Sequence, residues 1–294
     1  MSVTTKIQKM PGTDIITRFA PSPTGYLHLG HIFSALEARR FADAYGGEMR
    51  LRIEDIDHTR CRDEYRSAIF EDLDFMGIAI DGPVITQSER LANYRQALFE
   101  LEKRELIYPC YLTRAELDGL LSAPHHPPVN TDTLIDPALK ADRIARGDAP
   151  AWRLRMEAVR PSVGDLYFHD IHLGEQPIDL TDIGDAIIAR KDIGTSYHLA
   201  VLMDDAAQGV TVVTRGADLL PSTPLHRLLG VLLNLPETKW LHHPLVTDTA
   251  GRRLAKRDDA LAIRHLRERG KTRNDILSLI KEQPLLKAET YKRN

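Results

Sequence analysis

The sequence predicts an α/β fold, a doubly wound parallel sheet that carries a mixed α/β insertion and ends in a short helical segment. Three observations lead there. Strand-like and helix-like runs alternate from residue 14 to about 106, the pattern of parallel strands joined by crossover helices. A different texture occupies residues 108–180. The alternation then resumes and supplies a second half-sheet.

The elements follow in order. Ile15 to Ala20 is an apolar strand candidate, and the apolar spacing from Leu29 to Ala44 reads as a helix reaching Tyr45. Met49 to Ile53 reads as a strand, and Glu64 to Met76 and Arg90 to Arg104 as helices. The change of texture opens with TRAE at Thr113 to Glu116, a capping-box pattern, and is broken by HHPPVNTDT at His125 to Thr133. Within it Trp152, Leu154 and Met156 alternate with Arg153 and Arg155, and Leu166 to Ile171 is a short strand candidate. Beyond it come a strand at Ala186 to Ala189, a helix at Tyr197 to Ala207, a strand at Val210 to Thr214 and a helix at Pro224 to Leu233. Ile263 to Ile280 reads as one or two amphipathic helices with a basic face. The expected organisation is 14–107 and 181–262 for the two halves of one domain, 108–180 for the insertion and 263–294 for the helical segment, with no further domain.

Bulk composition excludes several function classes. Lys and Arg number 39 against 42 Asp and Glu, a formal charge of −3, so any nucleic-acid contact must use a local basic patch. Two cysteines, Cys61 and Cys110, are too few for a disulfide framework and fit a reducing compartment. The N-terminal MSVTTKIQKMPGTD lacks an apolar signal core, and no run approaches the roughly 20 apolar residues of a membrane helix. A soluble, cytoplasmic protein, acting as a monomer away from membranes, is expected.

Four segments carry chemistry. RFAPSPTGYLHLGH, Arg18 to His31, combines a proline-fixed turn, Gly25 and Gly30, and two histidines at the start of a helix. Unpaired N–H groups and the helix dipole favour an anion there, and Ser22, Thr24, His28 and His31 add donors, which points to nucleotide phosphates. RIEDID, Arg52 to Asp57, puts three carboxylates at the end of a strand, where ligands of doubly wound sheets collect. Asp55 and Asp57 also suit N-caps of the following helix, which leaves Glu54 as the better functional candidate. TSYHLAVLMDD, Thr195 to Asp205, is followed by TRGADL, Thr214 to Leu219. Arg215 there can bind a carboxylate through two parallel hydrogen bonds, or form a salt bridge with Asp205 or Asp218. GRRLAKRD, Gly251 to Asp258, is a basic loop.

Together these segments resemble the class I aminoacyl-tRNA synthetases in their glutamyl version: RFAPSPTG precedes the histidines of the HIGH signature, and GRRLAKRD stands where that family carries KMSKS. Only Lys256 keeps the lysine of that loop, with Arg253 in place of the other. The resemblance implies a Rossmann-like catalytic domain that activates L-glutamate with ATP and Mg2+. It implies ATP contacts at Pro21, Thr24, His28, Gly30, His31, Arg253 and Lys256, with His28, His31 and Lys256 catalytic. It implies glutamate contacts at Arg18, Phe19, Ala20, Pro21, Ser22, Glu54, Tyr197 and Arg215. Some relatives hold zinc on two cysteines one residue apart; here Cys110 is followed by Leu112 where the second would stand, so no metal site is expected, although His125 and His126 lie downstream. Members that end before an anticodon-binding domain, as this chain is expected to, attach glutamate to the queuosine base at the wobble position of tRNA(Asp). Charging of a tRNA 3′ end, or tRNA binding without catalysis, are the competing expectations.

Overall fold

The structure, a computed structural model, describes residues 14–113, 115–117, 130–246 and 262–281. The first half runs β1 (Ile16–Phe19), α1 (Leu29–Tyr45), β2 (Glu48–Ile53), α2 (Asp63–Phe75), β3 (Ile85–Thr86) and α3 (Leu91–Lys103). β2 pairs in parallel with both β1 and β3. The return from α1 into β2 depends on two glycines. Gly46 closes the helix at φ 66°, a left-handed conformation that side chains with a Cβ disfavour. Gly47 lies so close to β1 that a Cβ would stand 2.1 Å from the Ile15 carbonyl oxygen.

Next come β4 (Ile107–Cys110), α4 (Pro137–Ala145), β5 (Ala151–Leu154), α5 (Met156–Val159), β6 (Leu166–Asp170), β7 (Gly174–Ile178) and β8 (Ile187–Ala189). α6 (Tyr197–Ala207), β9 (Val212–Gly216), α7 (Thr223–Leu232) and β10 (Lys239–His243) complete the second half, and α8 (Ile263–Glu268) and α9 (Arg273–Lys281) follow. β10 lies parallel to β9 on one side and to β6 on the other, with β7 antiparallel outside β6. The two half-sheets meet at β1 and β9, where Thr211 N donates to Ile16 O at 2.9 Å and Arg18 donates to Thr214 O at 2.6 Å. The spatial order is therefore β3-β2-β1-β9-β10-β6-β7, doubly wound with its switch point between β1 and β9.

The sequence runs match these elements closely, with one difference in how they assemble. β4, β5 and β8 form a separate antiparallel sheet, while β6 joins the main parallel sheet. Hydrogen-bonded strands thus cross both positions, 107/108 and 180/181, where the composition changes. Short strands β3, β7 and β10 carried no clear sequence pattern. The capping box at Thr113 is present, with Thr113 N donating to Glu116 Oε2 at 2.7 Å and Glu116 N to Thr113 Oγ1 at 3.3 Å. Cys110 is buried beside Tyr108, and its sulfur accepts from Thr131 Oγ1 at 3.4 Å; His125 and His126 lie outside the described residues. Among the described residues no helix is long and apolar enough to cross a membrane.

Two apolar cores flank the switch point. The larger gathers Tyr94, Leu154, Leu199, Val213, Leu228 and Trp240. The smaller packs α1 on Met49, Leu51 and Leu73, and receives Ile263, Ile276 and Ile280 from the C-terminal helices. Those helices are also tied by charge: Arg267 donates to Asp72 Oδ1 at 3.0 Å, while Asp72 Oδ2 is buried with no hydrogen-bond partner among the described residues. Burial pushes the Asp72 carboxyl up to about 6, with Arg267 only partly opposing it. Between the ordinary value of 3.8 and about 6 the folded state holds a proton that the unfolded chain has lost, so stability falls as pH rises through this window. Asp72→Asn removes the effect. The stability of the unaltered protein relative to this variant, measured by denaturant unfolding, should drop by at most about 3 kcal/mol between pH 4 and pH 7.

Candidate active site

At the carboxyl ends of β1 and β9 opens a cavity of about 480 Å³. Its floor is the loop after β1, held in place by the segment after β2: Glu54 N donates to Pro21 O at 3.0 Å and Arg62 N to Pro23 O at 3.0 Å. Of the residues singled out in the sequence, Arg18, Phe19, Ala20, Pro21, Ser22, His28, Gly30, His31, Glu54, Tyr197 and Arg215 all line this space. Thr24 lines a hollow of about 250 Å³ that shares Ser22, Glu54 and Tyr197 with it. Arg253 and Lys256 lie outside the described residues.

The two histidines close the first turn of α1 on themselves. His28 is the N-cap: its Nδ1 accepts from Gly30 N at 3.1 Å, and His31 Nδ1 accepts from His28 N at 3.2 Å, a reciprocal capping box. The rings stack with centroids 3.8 Å apart. A Cβ at Gly30 would come within 3.0 Å of the His28 ring, so glycine permits this fold-back. The arrangement corrects one expectation. The N–H groups of Gly30 and His31 are taken up by the His28 ring and carbonyl, so these two backbone donors are not open to an anion. Because each Nδ1 is an acceptor, each neutral ring carries its proton on Nε2, and the rings become the donors.

Arginines dominate the inner wall. Arg18, from β1, donates through Nε to Asp205 Oδ1 at 3.1 Å, and Arg52, from β2, reaches the same oxygen at 2.5 Å. Arg52 also holds Glu54 at 3.0 Å, with Glu54 12% exposed toward the cavity. Burial would lift the Asp205 carboxyl, but Arg52 and Arg18 outweigh it and hold it below its ordinary value. For Glu54 burial wins: its carboxyl is raised despite Arg52. Burial also raises the Tyr197 phenol, with Glu54 adding to it.

Arg215, 5% exposed, is held differently. The salt bridge to Asp205 or Asp218 that sequence allowed is not formed: among the described residues Arg215 makes no ion pair. It donates instead to His242 Nε2 at 3.1 Å, His226 Nδ1 at 2.9 Å and Thr223 Oγ1 at 2.8 Å. Asp55 and Asp57 do not cap α2 either. Asp55 accepts from Ser88 N and Oγ, Asp57 from Thr59 and Arg60, and the N-cap of α2 is Arg62 with no side-chain bond. Sequence reasoning did not single out Asp170, His226 and His242. The run HH at His242 and His243, on a strand buried on both faces, was the available signal.

This fold and this site define the catalytic domain of a class I tRNA synthetase: a doubly wound sheet whose switch point joins a histidine-capped helix to a charged pocket of amino-acid size. Residues 14–284 match the sequence model for tRNA synthetases class I (E and Q), catalytic domain. The chain belongs to that family. It is 45% identical over 276 residues to the glutamyl-Q tRNA(Asp) synthetase of Rhodobacter capsulatus, covering 90% of this chain and 99% of that protein. It is 42% identical to the protein of the same name from Nocardia farcinica, covering 90% of this chain and 82% of that one. The crystal structure of a glutamate-tRNA synthetase from Elizabethkingia anophelis superposes with a TM-score of 0.71 at 27% identity, over 84% of this chain and 53%, about half, of that one.

The shared Asp205 is the site's structural keystone, since its loss leaves two enclosed guanidiniums without their common anion. Asp205→Asn should destabilise the protein by about 3 kcal/mol in denaturant unfolding at pH 7.

Proposed function

We propose that this protein activates L-glutamate with ATP and transfers it to the queuosine base at the wobble position of tRNA(Asp). One observation carries the choice of acceptor: the 45% identity to a glutamyl-Q tRNA(Asp) synthetase extends over 99% of that protein. ATP enters as its magnesium complex, and the reaction takes place in the cytoplasm on a monomer.

In the first step an oxygen of the glutamate α-carboxylate forms a bond to the α-phosphorus of ATP as the bond to pyrophosphate breaks. Positioning and charge neutralisation supply most of the acceleration in such a transfer. His28 and His31 donate Nε2–H to the phosphates, with Pro21, Thr24 and Gly30 shaping the nucleotide side of the loop. Arg253 and Lys256 neutralise the leaving pyrophosphate. On the amino-acid side, Phe19, Ala20, Pro21 and Ser22 form the floor and Arg18 the back wall. Glu54 takes the α-ammonium, and Arg215 with Tyr197 takes the side-chain carboxylate. In the second step the acceptor group of queuosine attacks the adenylate carbonyl and AMP leaves.

The charge count supports this division. Three guanidiniums, Arg18, Arg52 and Arg215, face two carboxylates, Asp205 and Glu54, in the buried wall, and glutamate brings one net negative charge. Selection against aspartate is harder, because one methylene is worth only about 1 to 3 kcal/mol, so pocket depth must contribute.

Arg215→Ala should abolish glutamate-dependent pyrophosphate exchange while ATP binding stays measurable by calorimetry; unchanged exchange would mean the carboxylate is held elsewhere. Glutamate affinity should weaken on acidification from above the ordinary glutamic-acid range, because the raised Glu54 carboxyl must be ionised to hold an ammonium. The acceptor is tested by incubating labelled glutamate and ATP with tRNA(Asp) that contains or lacks queuosine. Label on the queuosine nucleotide alone is expected, and label on the 3′ end would instead make the chain a charging enzyme.

A further inference from the structure

Around Arg215 lies a set of buried groups that the activation chemistry does not use. Starting from the outside, Asp170 is fully buried; its Oδ2 accepts from His242 Nδ1 at 2.6 Å, and its Oδ1 accepts from His172 N and Leu173 N. That fixes the proton of His242 on Nδ1 and turns the Nε2 lone pair toward Arg215 Nε. On a second side, Arg215 has only donors, so His226 Nδ1 must accept. His226 Nε2 then carries the proton, which it donates to His198 Nδ1 at 2.9 Å. On the third side stands the Thr223 hydroxyl, completely buried.

We propose that Thr223, His226 and His242, the last positioned by Asp170, form a shell of uncharged acceptors that holds Arg215 without a counter-ion among the described residues, so that its guanidinium selects a carboxylate over an amide. The inference rests on the glutamate-activating reading above and adds the origin of its specificity.

A buried guanidinium with no anion in contact is costly, and a pocket that merely needed an arginine anchored would place a carboxylate beside it. This protein does so for Arg18 and Arg52, which share Asp205. At Arg215 it places imidazoles and a hydroxyl instead. The anion nearest along this chain of bonds, Asp170, touches the far nitrogen of His242. Burial lowers His226 well below its ordinary value, and Arg215 adds to that; burial likewise lowers His242 and His198. All three therefore stay neutral, as acceptors toward a cation must. An incoming carboxylate then supplies the missing charge, whereas an amide leaves it uncompensated.

The test uses a pair of variants that differ only in charge. Thr223→Asp puts a carboxylate against Arg215, while Thr223→Asn has the same size and stays neutral; both stand at the first turn of α7. In glutamate-dependent pyrophosphate exchange, Thr223→Asp should raise the KM for glutamate at least about 10-fold more than Thr223→Asn does, with the KM for ATP unchanged in both. Equal behaviour of the two overturns the proposal. Asp170→Asn is the second arm. The amide keeps its oxygen on the His172 and Leu173 N–H groups and turns its NH2 toward His242 Nδ1, which moves the ring proton to Nε2 and removes the lone pair from Arg215, so the KM for glutamate should rise at unchanged ATP affinity. An unchanged value overturns the positioning role. The third arm needs no variant: glutamine should support pyrophosphate exchange with a kcat/KM at least about 100-fold below that of glutamate, and equal values overturn the selectivity. If the unaltered protein shows no response to glutamate at all, the functional reading itself fails and the assignment of the shell falls with it.

Discussion

The Asp205 carboxylate is the interaction on which the rest of the structure depends. It stands at the end of α6 and receives Arg18 from β1 and Arg52 from β2, so one buried anion ties both sides of the switch point together. The energetic logic is that of a buried triad: two guanidiniums removed from water are tolerable only while their shared acceptor is ionised, and burial's upward pull on that acceptor is overcome by the two cations. The consequence reaches the cavity in one further step. Arg52, pinned by Asp205, presents its remaining donors to Glu54 and fixes a carboxylate at the edge of the pocket. Arg18 is pinned in the same way and spends another donor on Thr214 O, which joins β1 to β9. Parting β1 from β9 breaks that bond and opens the buried Arg18–Asp205 pair to water.

At the opposite wall the histidine pair caps α1 through Nδ1. Capping a helix with imidazole uses Nδ1, and using Nδ1 decides where the proton resides. Capping the helix and setting the tautomer are thus two sides of one ring. The same logic explains Gly30. A Cβ there would crowd the His28 ring at 3.0 Å, and the ring would have to give by a few tenths of an ångström.

Much of this was legible in the sequence because it is local. The strand, turn and helix around RFAPSPTGYLHLGH are written in proline, glycine and apolar spacing, and RIEDID and TRGADL mark strand ends by the same means. Short strands were harder: β3 has two residues and β7 includes Pro177, and neither presents the alternation that identifies a half-buried strand. The pairing of charges was not legible at all. Arg18 and Asp205 are 187 residues apart, and nothing near either one distinguishes that partnership from the equally plausible Arg215 with Asp205. Nor does composition reveal that Arg215 would have histidines for neighbours, since His226 and His242 reach it from α7 and β10, two different elements.

The segment that reads as an insertion proves to be part of the pocket's support. β6 runs parallel to β10, Trp240 sits in register with Asp170, and Ile171 N donates to Trp240 O at 2.7 Å. That register brings the Asp170 carboxylate beneath His242, where it also accepts from the His242 backbone N–H at 3.2 Å. A slip of β6 by one residue would turn Asp170 to the other face and leave the histidine without the acceptor that sets its tautomer. The orientation of the Arg215 guanidinium in the cavity therefore depends on a strand that neither half of the alternating pattern contains. The inner edge of this segment is held to one register because it carries the link from the sheet through Asp170 and His242 to Arg215.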